Sequence, residues 1–466
     1  MERPLTDLEG FYSRLPVSLQ NLGCSLEGLR IQQRRFGAGF HRQLKLSEER
    51  SAWSLDNLIR YRDERLREFV IHSAGTVPYY SRLFREIGID PGEIRTLDDL
   101  SRLPILTKEQ VQQSVADFTS NAVQARQRIV THTSGTTGAG LRFSTTREAQ
   151  HEQWAVWWRY RHSHGLDQNQ WCGYFGGRSV VPVSVNEPPF WRYNYAGRQI
   201  LFSGYHMSPR NLGSYVDELR RKRPPWLHGY PSLIALLGSF LLDSQCDLGY
   251  QPRWITVGAE NLLPQQARLI EDAFGVRPGQ HYGMAEAVAN FSECTAGALH
   301  VDEDFAAVEF VRDPAGDGWR IVGSNFSNPA TPLLRYDVGD IASVSEFPCL
   351  CGRPGRVVES VDGRLEDYVI LANGTRVGRL DHVFKDMVTI REAQIAQHSP
   401  GEITLRIVRG AEHTEADEEI LLREMRKRVG FDIRIEIVYL DRLPRSGSGK
   451  LRLVVSSIRE GRIARV

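Results

Sequence analysis

"THTSGTTGAGLRF", residues 131–143, decides how this chain is read. Gly135, Gly138 and Gly140 stand among the hydroxyl residues Thr133, Ser134, Thr136 and Thr137. Such a run makes poor core and poor helix. It makes a loop rich in N–H and O–H donors, whose glycines let the backbone close on an anion such as phosphate. A plain polar hairpin turn fits the same composition. The flanks, "RIVTHT" and "LRFSTT", read as strands. A P-loop needs G-x-x-x-x-G-K-[ST] opening a helix. Here Ala139 and Gly140 follow Gly138, and no lysine comes after them. The device is strand–loop–strand, and a lysine to meet a phosphate must come from elsewhere.

At 466 residues the chain exceeds one compact core, and two or three domains are expected. A net charge of +1 offers no broad field for nucleic acid or anionic membrane. Hydrophobic residues at 41% and charged residues at 25% suit a globular protein in water. The longest apolar run, "LIALLGSFLL" from Leu233 to Leu242, is about half a membrane span. "MERPLTDLEGFYSRLP" lacks the apolar stretch of a signal peptide. The expectation is a cytoplasmic protein with no nucleic-acid partner and no membrane span. Its cysteines at 24, 172, 246, 294, 349 and 351 are expected to be reduced.

Away from the glycine loop the texture changes along the chain. The first hundred or so residues read as mostly helical. "SLDNLIRYRDERLREFVIHSAG" (Ser54 to Gly75) has a serine cap, apolar residues at helical spacing and a glycine stop. From 128, short apolar strands such as "PPWLHGY" and "RWITVGAE" alternate with helices such as "PQQARLIEDAFG", which argues α/β layering. From about 300 strands dominate. The last hundred residues, with "EITLRIV", "TEADEEILLREMRKRVG" and "DIRIEIVYL", read as a separate α+β unit. A boundary fits near "SVDGRLEDY" (Ser360 to Tyr368), giving an N-terminal domain 1–362 and a C-terminal domain 363–466.

Read forward from the glycine loop, five further segments come in order: "VGAE" (257–260), "HYGMAEA" (281–287), "LLRYDVGDIA" (333–342), "DGRLEDY" (362–368) and "LPRSGSGKLRLV" (443–454). Each is weak singly; the ordered set over more than 300 residues is not. This series resembles the adenylate-forming superfamily, which includes acyl-CoA synthetases and peptide-synthetase adenylation domains. "VPYYSRLF", "LPILTK", "HTSGTTG" and "LHGYPS" resemble its phenylacetate–CoA ligase branch, including the capsular-polysaccharide-associated members.

The resemblance implies a fold, a reaction and a set of roles. The fold is a large α/β N-terminal domain with a helical start and layered sheets, plus a small mobile α+β C-terminal domain. The reaction activates a carboxylic acid with ATP as an acyl-adenylate, releases pyrophosphate, and passes the acyl group to coenzyme A. An aryl or aryl-acetic acid is the expected substrate, and a homodimer is a possible assembly. The acyl acceptor stays open between coenzyme A, an amine, a hydroxyl and a carrier protein, as does transfer of AMP to a small molecule. Thr133, Ser134, Gly135, Thr136, Thr137 and Gly138 match the loop around the β- and γ-phosphates. Where the family often has proline–lysine, this chain runs to Arg142, which either supplies that charge or faces out of a strand.

Tyr282 and Gly283 match the adenine-stacking segment, and Gly258, Ala259 and Glu260 the segment along the other face of the base. Glu286 matches the Mg²⁺ carboxylate, a ligand type that suits a cation taking one or two carboxylates plus phosphate oxygens. Ala285 lacks the hydroxyl often found before it. Asp340 matches the ribose acceptor, whose two oxygens meet two hydroxyls. Arg364 matches an arginine at the ribose or phosphates, Glu366 the hinge, and Lys450 the lysine at the α-phosphate and carboxylate. Gly229 and Tyr230 border the expected acid pocket.

Cys294, His300, Cys349 and Cys351 form C-x₅-H…C-x-C. Three thiols and an imidazole make a structural Zn²⁺ set. C-x-C is tighter than the usual knuckle spacing, and reduced cysteines in turns fit the same pattern.

Overall fold

The structure, a computed structural model, describes residues 12, 14–132, 141–178, 180–182, 185–208, 210–313, 318–364, 369–372, 376–377, 380–384, 389–410, 413–431, 433–445 and 451–458. Two compact units make up the chain. One comprises Met1–Leu29, Gln168–Gly279 and Gly363–Val466; the other comprises Arg30–Asp167 and Gln280–Asp362.

The second of these contains the helices Ala38–Arg50, Leu55–Thr76, Pro78–Ile87 and Arg147–Ser163. Ser54 caps the second helix, its hydroxyl accepting from the Asn57 amide at 3.3 Å. That helix does not stop at Gly75. It runs to Thr76, and Val77 leaves the helix at φ −111°, ψ 119°. Pro78 is the physical cause: its ring disfavours helical backbone in the residue before it, while its own fixed φ opens the next helix. Leu66, Phe69 and Val70 pack with Tyr80, Phe84, Phe143 and Val288 in one core.

The strands expected beside the glycine loop are present. Ile129–His132 and Arg142–Thr145 pair antiparallel, with Ile129 opposite Thr145. Arg142 is exposed on its strand. A larger sheet in this unit runs in the order Ala306–Arg312, Trp319–Asn325, Tyr336–Val344, Val357–Arg364, Leu299–Val301, Asn290–Glu293, Gly279–Gly283.

In the other unit, Trp254–Val257, Trp226–Gly229, Cys172–Gly176 and Gln199–Ser203 lie parallel in that order, with Trp191–Asn194 antiparallel at the edge. Helices Leu212–Lys222, Pro231–Asp243 and Pro264–Phe274 connect or follow them. Parallel strands buried on both faces must be apolar almost throughout. Phe175, Phe202, Leu227 and Ile255 accordingly meet Leu233, Leu237 and Tyr215 in the core. The C-terminal residues of this unit form a four-stranded sheet in the order Arg434–Tyr439, Glu402–Arg409, Ile390–Ser399, Val454–Ser456. Helix Glu415–Val429 puts Leu421, Met425 and Val429 against its Ile395, Leu405 and Ile407.

The fold class is the expected α/β one with a C-terminal α+β part. Around Ser360–Tyr368, where the sequence suggests a linker, the strand Val357–Arg364 runs on as far as Arg364, and the break between units falls within it. Among the described residues, no helix is long and apolar enough to cross a membrane.

Candidate active site

The strand Gly279–Gly283 carries Tyr282, whose ring stacks on Phe291 of the paired strand at 4.8 Å. Its hydroxyl donates to Asp340 Oδ2 at 2.7 Å. Asp340 follows Gly339, which adopts φ +76°. Gly283 is a glycine for a steric reason: a Cβ there would lie 2.8 Å from Asn290 Oδ1 and 3.1 Å from Trp157 Nε1. His281 sits beside the rings of Trp157 and Tyr160, at 5.6 and 5.3 Å. Burial pushes its pKa down to about 4, which keeps the ring neutral.

Glu286, 9% exposed, lies on the turn after this strand. The turn is held at both ends. Gln153 Nε2 donates to the Met284 carbonyl at 2.7 Å, and Asn325 Nδ2 donates to the Glu286 carbonyl at 3.1 Å. Ala287 is left-handed, with φ 58°, a conformation costing a non-glycine residue about 1 kcal/mol. Packing therefore imposes the position of Glu286.

Three consecutive acids behind this site were not singled out from the sequence. Asp302, Glu303 and Asp304 are each 2% exposed. Asp304 accepts from Arg50 at 2.6 Å and Arg159 at 2.7 Å; Glu303 accepts from Arg62 at 2.9 Å and Arg356 at 2.7 Å. Asp302 accepts from Arg159, Arg353, Asn290 and Ser292. Burial alone would raise the Asp304 pKa, but Arg159 and Arg50 outweigh it and hold the carboxyl far below the usual range. Through Asp302 and Arg159 these pairs tie Asn290 and Ser292, which lie opposite Gly283 and His281, to the helix Arg147–Ser163.

Cys294, His300, Cys349 and Cys351 converge, with all four ligand atoms within 4.8 Å of one another. The Cys294 and Cys349 sulfurs are 3.8 Å apart, and Cys351 Sγ lies 3.4 Å from His300 Nε2. Zn–S bonds of about 2.3 Å at tetrahedral angles put sulfurs about 3.8 Å apart, so the spacing fits that ion. The Arg353 amide donates to Cys351 Sγ at 3.3 Å, and the Cys351 amide to Cys349 Sγ at 3.5 Å. Burial pushes the Cys351 thiol up to about 11. Burial also works against the Cys294 thiolate, yet the amides of Ala298 and Ala296 bring that thiol below its ordinary value. A bound divalent cation is what would hold all three as thiolates.

In the other unit, Gly229, Tyr230, Gly258 and Glu260 come together. The Tyr230 amide donates to the Phe175 carbonyl at 2.8 Å, and the Gly258 amide to the Gly229 carbonyl at 3.2 Å. A Cβ on Gly229 would lie 1.9 Å from the Phe175 carbonyl, which explains the glycine. Burial, first, pushes the Tyr230 phenol up to about 12, so it stays neutral. Ala259 is left-handed at φ 66°. The Glu260 carboxylate is taken up by the chain itself, by the amides of Ser232 at 3.3 Å and Leu451 at 2.7 Å. Only the backbone of 258–260 is then left for the role along the base that the resemblance implies. Arg445, which the sequence did not mark, lies 3.9 Å from Glu260.

Thr133, Ser134, Gly135, Thr136, Thr137, Gly138, Glu366 and Lys450 lie outside the described residues, and so does the side chain of Arg364.

Residues 369–457 match the family model of the CapK C-terminal domain. The chain is 24% identical over 463 residues to protein CapK of Staphylococcus aureus, covering 97% of this chain and 100% of that one. It is 23% identical over 451 residues to the phenylacetate–coenzyme A ligase of Thermus thermophilus, covering 86% of this chain and 96% of that one. A crystal structure of 2-hydroxyisobutyryl-CoA ligase in the postadenylation state, with an acyl-AMP bound, superposes with a TM-score of 0.67 at 18% identity, over 88% of this chain and 91% of that one. The resemblance carried by the ordered motifs therefore holds: this chain is a relative of CapK and of the phenylacetate–coenzyme A ligases, built on the fold of the adenylate-forming coenzyme A ligases.

Proposed function

We propose that this chain is an AMP-forming acid–thiol ligase. A substrate carboxylate oxygen attacks the α-phosphorus of ATP, pyrophosphate leaves, and the acyl-adenylate passes its acyl group to the thiol of coenzyme A with release of AMP. The observation that carries the reading is the joined pair Tyr282 and Asp340, an aromatic face and a two-oxygen acceptor brought together as a nucleoside requires. Relatives named phenylacetate–coenzyme A ligase support the acid and the thiol.

Tyr282 and Gly283 take the adenine and Asp340 the ribose hydroxyls. Gly258 and Ala259 line the base, and residues 133–138 hold the polyphosphate. Glu286 fits a Mg²⁺ that arrives with the nucleotide; the ion neutralises phosphate charge. Arg364 and Lys450 supply the cations where negative charge builds between carboxylate and phosphate, and charge stabilisation of this kind dominates such transfers. The C-terminal domain, 363–466, turns about Glu366 once the adenylate exists.

Tyr230, a neutral phenol beside Gly229, suits a flat aryl or aryl-acetic guest. Cys294, His300, Cys349 and Cys351 hold a structural Zn²⁺, remote from acyl transfer in its chemistry. The cytoplasm, which holds ATP and coenzyme A together, is the compartment this reading calls for.

The test is pyrophosphate release from ATP with phenylacetate, benzoate and 2-hydroxyisobutyrate, with and without coenzyme A. Acid-dependent release, with thioester only when coenzyme A is present, is the expected result. Release without thioester moves the acceptor to an amine, hydroxyl or carrier protein. No release with any acid overturns the reading.

A further inference from the structure

The helix Val17–Arg35 is turned inside out over its residues 17–29. It lies along the edge strand Trp191–Asn194, and a sheet edge has backbone groups in need of partners. Asn21 Oδ1 accepts the Tyr193 amide at 2.9 Å, and Ser25 Oγ accepts the Tyr195 amide at 3.0 Å. Gln20 accepts from Arg192 Nε. Gly28 seats the helix closely, since a Cβ there would lie 1.9 Å from Asn194 Oδ1. The polar side chains thus face inward, where a surface helix usually presents its apolar ones.

The leucines face outward instead. Leu19 is 46% exposed, Leu22 53%, Leu26 59% and Leu29 44%. Single exposed leucines are ordinary. Four at spacings of three, four and three residues share one face of a helix. Together they expose on the order of 400 Å² of apolar surface, the scale of a functional patch. Tyr195, also exposed, extends the patch at Ser25.

The spacing also says what covers the stripe. Three, four, three reads the same in both directions. A two-fold axis at position 24 therefore sets Leu19 against Leu29 and Leu22 against Leu26, twice each. An interface between identical subunits must match itself in this way. Glu27 is the sole charged residue in 17–29. The antiparallel register holds the two copies of Glu27 about 9 Å apart along the axis, whereas a parallel one sets them side by side. An anionic lipid surface calls for lysine or arginine beside the apolar stripe, and 17–29 has neither. Two facing stripes, with Val17 and Tyr195, hide about 1,200 Å² in all, the lower bound of a specific interface.

We propose that Leu19, Leu22, Leu26 and Leu29 form the seam of a two-fold dimer of this chain, with the two helices antiparallel. The inference is independent of the acid-activating function proposed above.

The test is sedimentation velocity of the full chain over a concentration series, with circular dichroism to show that each variant is folded. The wild-type chain dimerises. Leu22→Lys with Leu26→Lys sets like charges opposite each other and raises the dimer Kd about 100-fold or more. Leu22→Lys with Leu26→Glu sets opposite charges across the antiparallel seam and recovers part of the association. Copper-phenanthroline oxidation joins an equimolar mixture of Leu19→Cys and Leu29→Cys chains. It joins Leu19→Cys alone far less, because those thiols stand about 15 Å apart along the axis.

A wild-type chain that stays monomeric at every concentration overturns the proposal, as does a dimer untouched by the two lysines. Equal cross-linking of Leu19→Cys alone overturns the antiparallel seam. A monomer that binds phosphatidylglycerol vesicles, and loses them with Leu22→Lys and Leu26→Lys, gives the stripe to lipid and overturns the dimer.

Discussion

Tyr282 and Asp340, 58 positions apart in sequence, are joined by a hydrogen bond of 2.7 Å although three strands stand between theirs in the sheet. Neighbouring strands lie about 4.8 Å apart, so a flat sheet would separate the two by about 19 Å. The bond therefore requires a sheet that curls strongly on itself. That curvature, with Phe291 behind the Tyr282 ring, fixes the pair on which the proposed nucleoside site rests.

Asp340→Ala should raise the Kd for ATP about 10- to 100-fold, the scale of one or two lost bonds to a charged acceptor. The KM for the acid should hardly move. Tyr282→Phe keeps the ring and should weaken ATP binding less. Calorimetric titration with ATP decides it, and an unchanged Kd in Asp340→Ala removes the ribose assignment.

One Zn²⁺ per chain should be found by elemental analysis of protein purified without chelators. Cys351→Ser should lower Tm by several degrees and release the ion, because metal-binding energy in such sites is folding energy. Full stability after exhaustive chelation would rule out a structural role.

Lys450→Ala should cut acid-dependent pyrophosphate release about 10²- to 10³-fold, the scale of losing one strong charge partner in the transition state. Given a synthetic acyl-adenylate and coenzyme A, the same variant should form thioester at close to the normal rate. Glu366→Pro, chosen to stiffen the proposed hinge, should show the reverse profile. Damage to both half-reactions alike would exclude a two-pose mechanism.

His281 predicts a pH dependence of stability. Its folded pKa, about 4, lies below the unfolded value of about 6.5, so the unfolded chain binds the proton first. The contribution is fully present above about pH 6.5 and is lost as pH falls towards 4, by up to about 3 kcal/mol. Urea unfolding at pH 7, 5.5 and 4.5 should show the decline, and His281→Gln should remove this part of the slope. An identical slope in the variant would place the titration elsewhere.

Much of this protein is written locally. The strands beside the glycine loop, Ile129–His132 and Arg142–Thr145, are short apolar runs closed by turn residues, and period and composition suffice for them. The thiol set was legible too, because C-x-C and C-x₅-H keep each pair of ligands close along the chain. The end of the helix Leu55–Thr76 shows how one local signal yields to another: Pro78 outweighed Gly75.

What stayed hidden, which charged groups are buried and by what they are paired, shares one physical cause. Asp302, Glu303, Asp304, Glu260 and Arg445 are charged, and a charge in isolation belongs in water. Their sequence neighbourhood says nothing against that. Only the fold brings Arg159 to Asp302 and Asp304, or Leu451 to Glu260 across 191 positions, and only with those partners is burial tolerable. The sequence alone thus determined which elements form and, through ordered motifs, which kind of site to look for. The tertiary structure decided which charges go inside, because a buried charge is stable only beside a partner that the folded chain delivers.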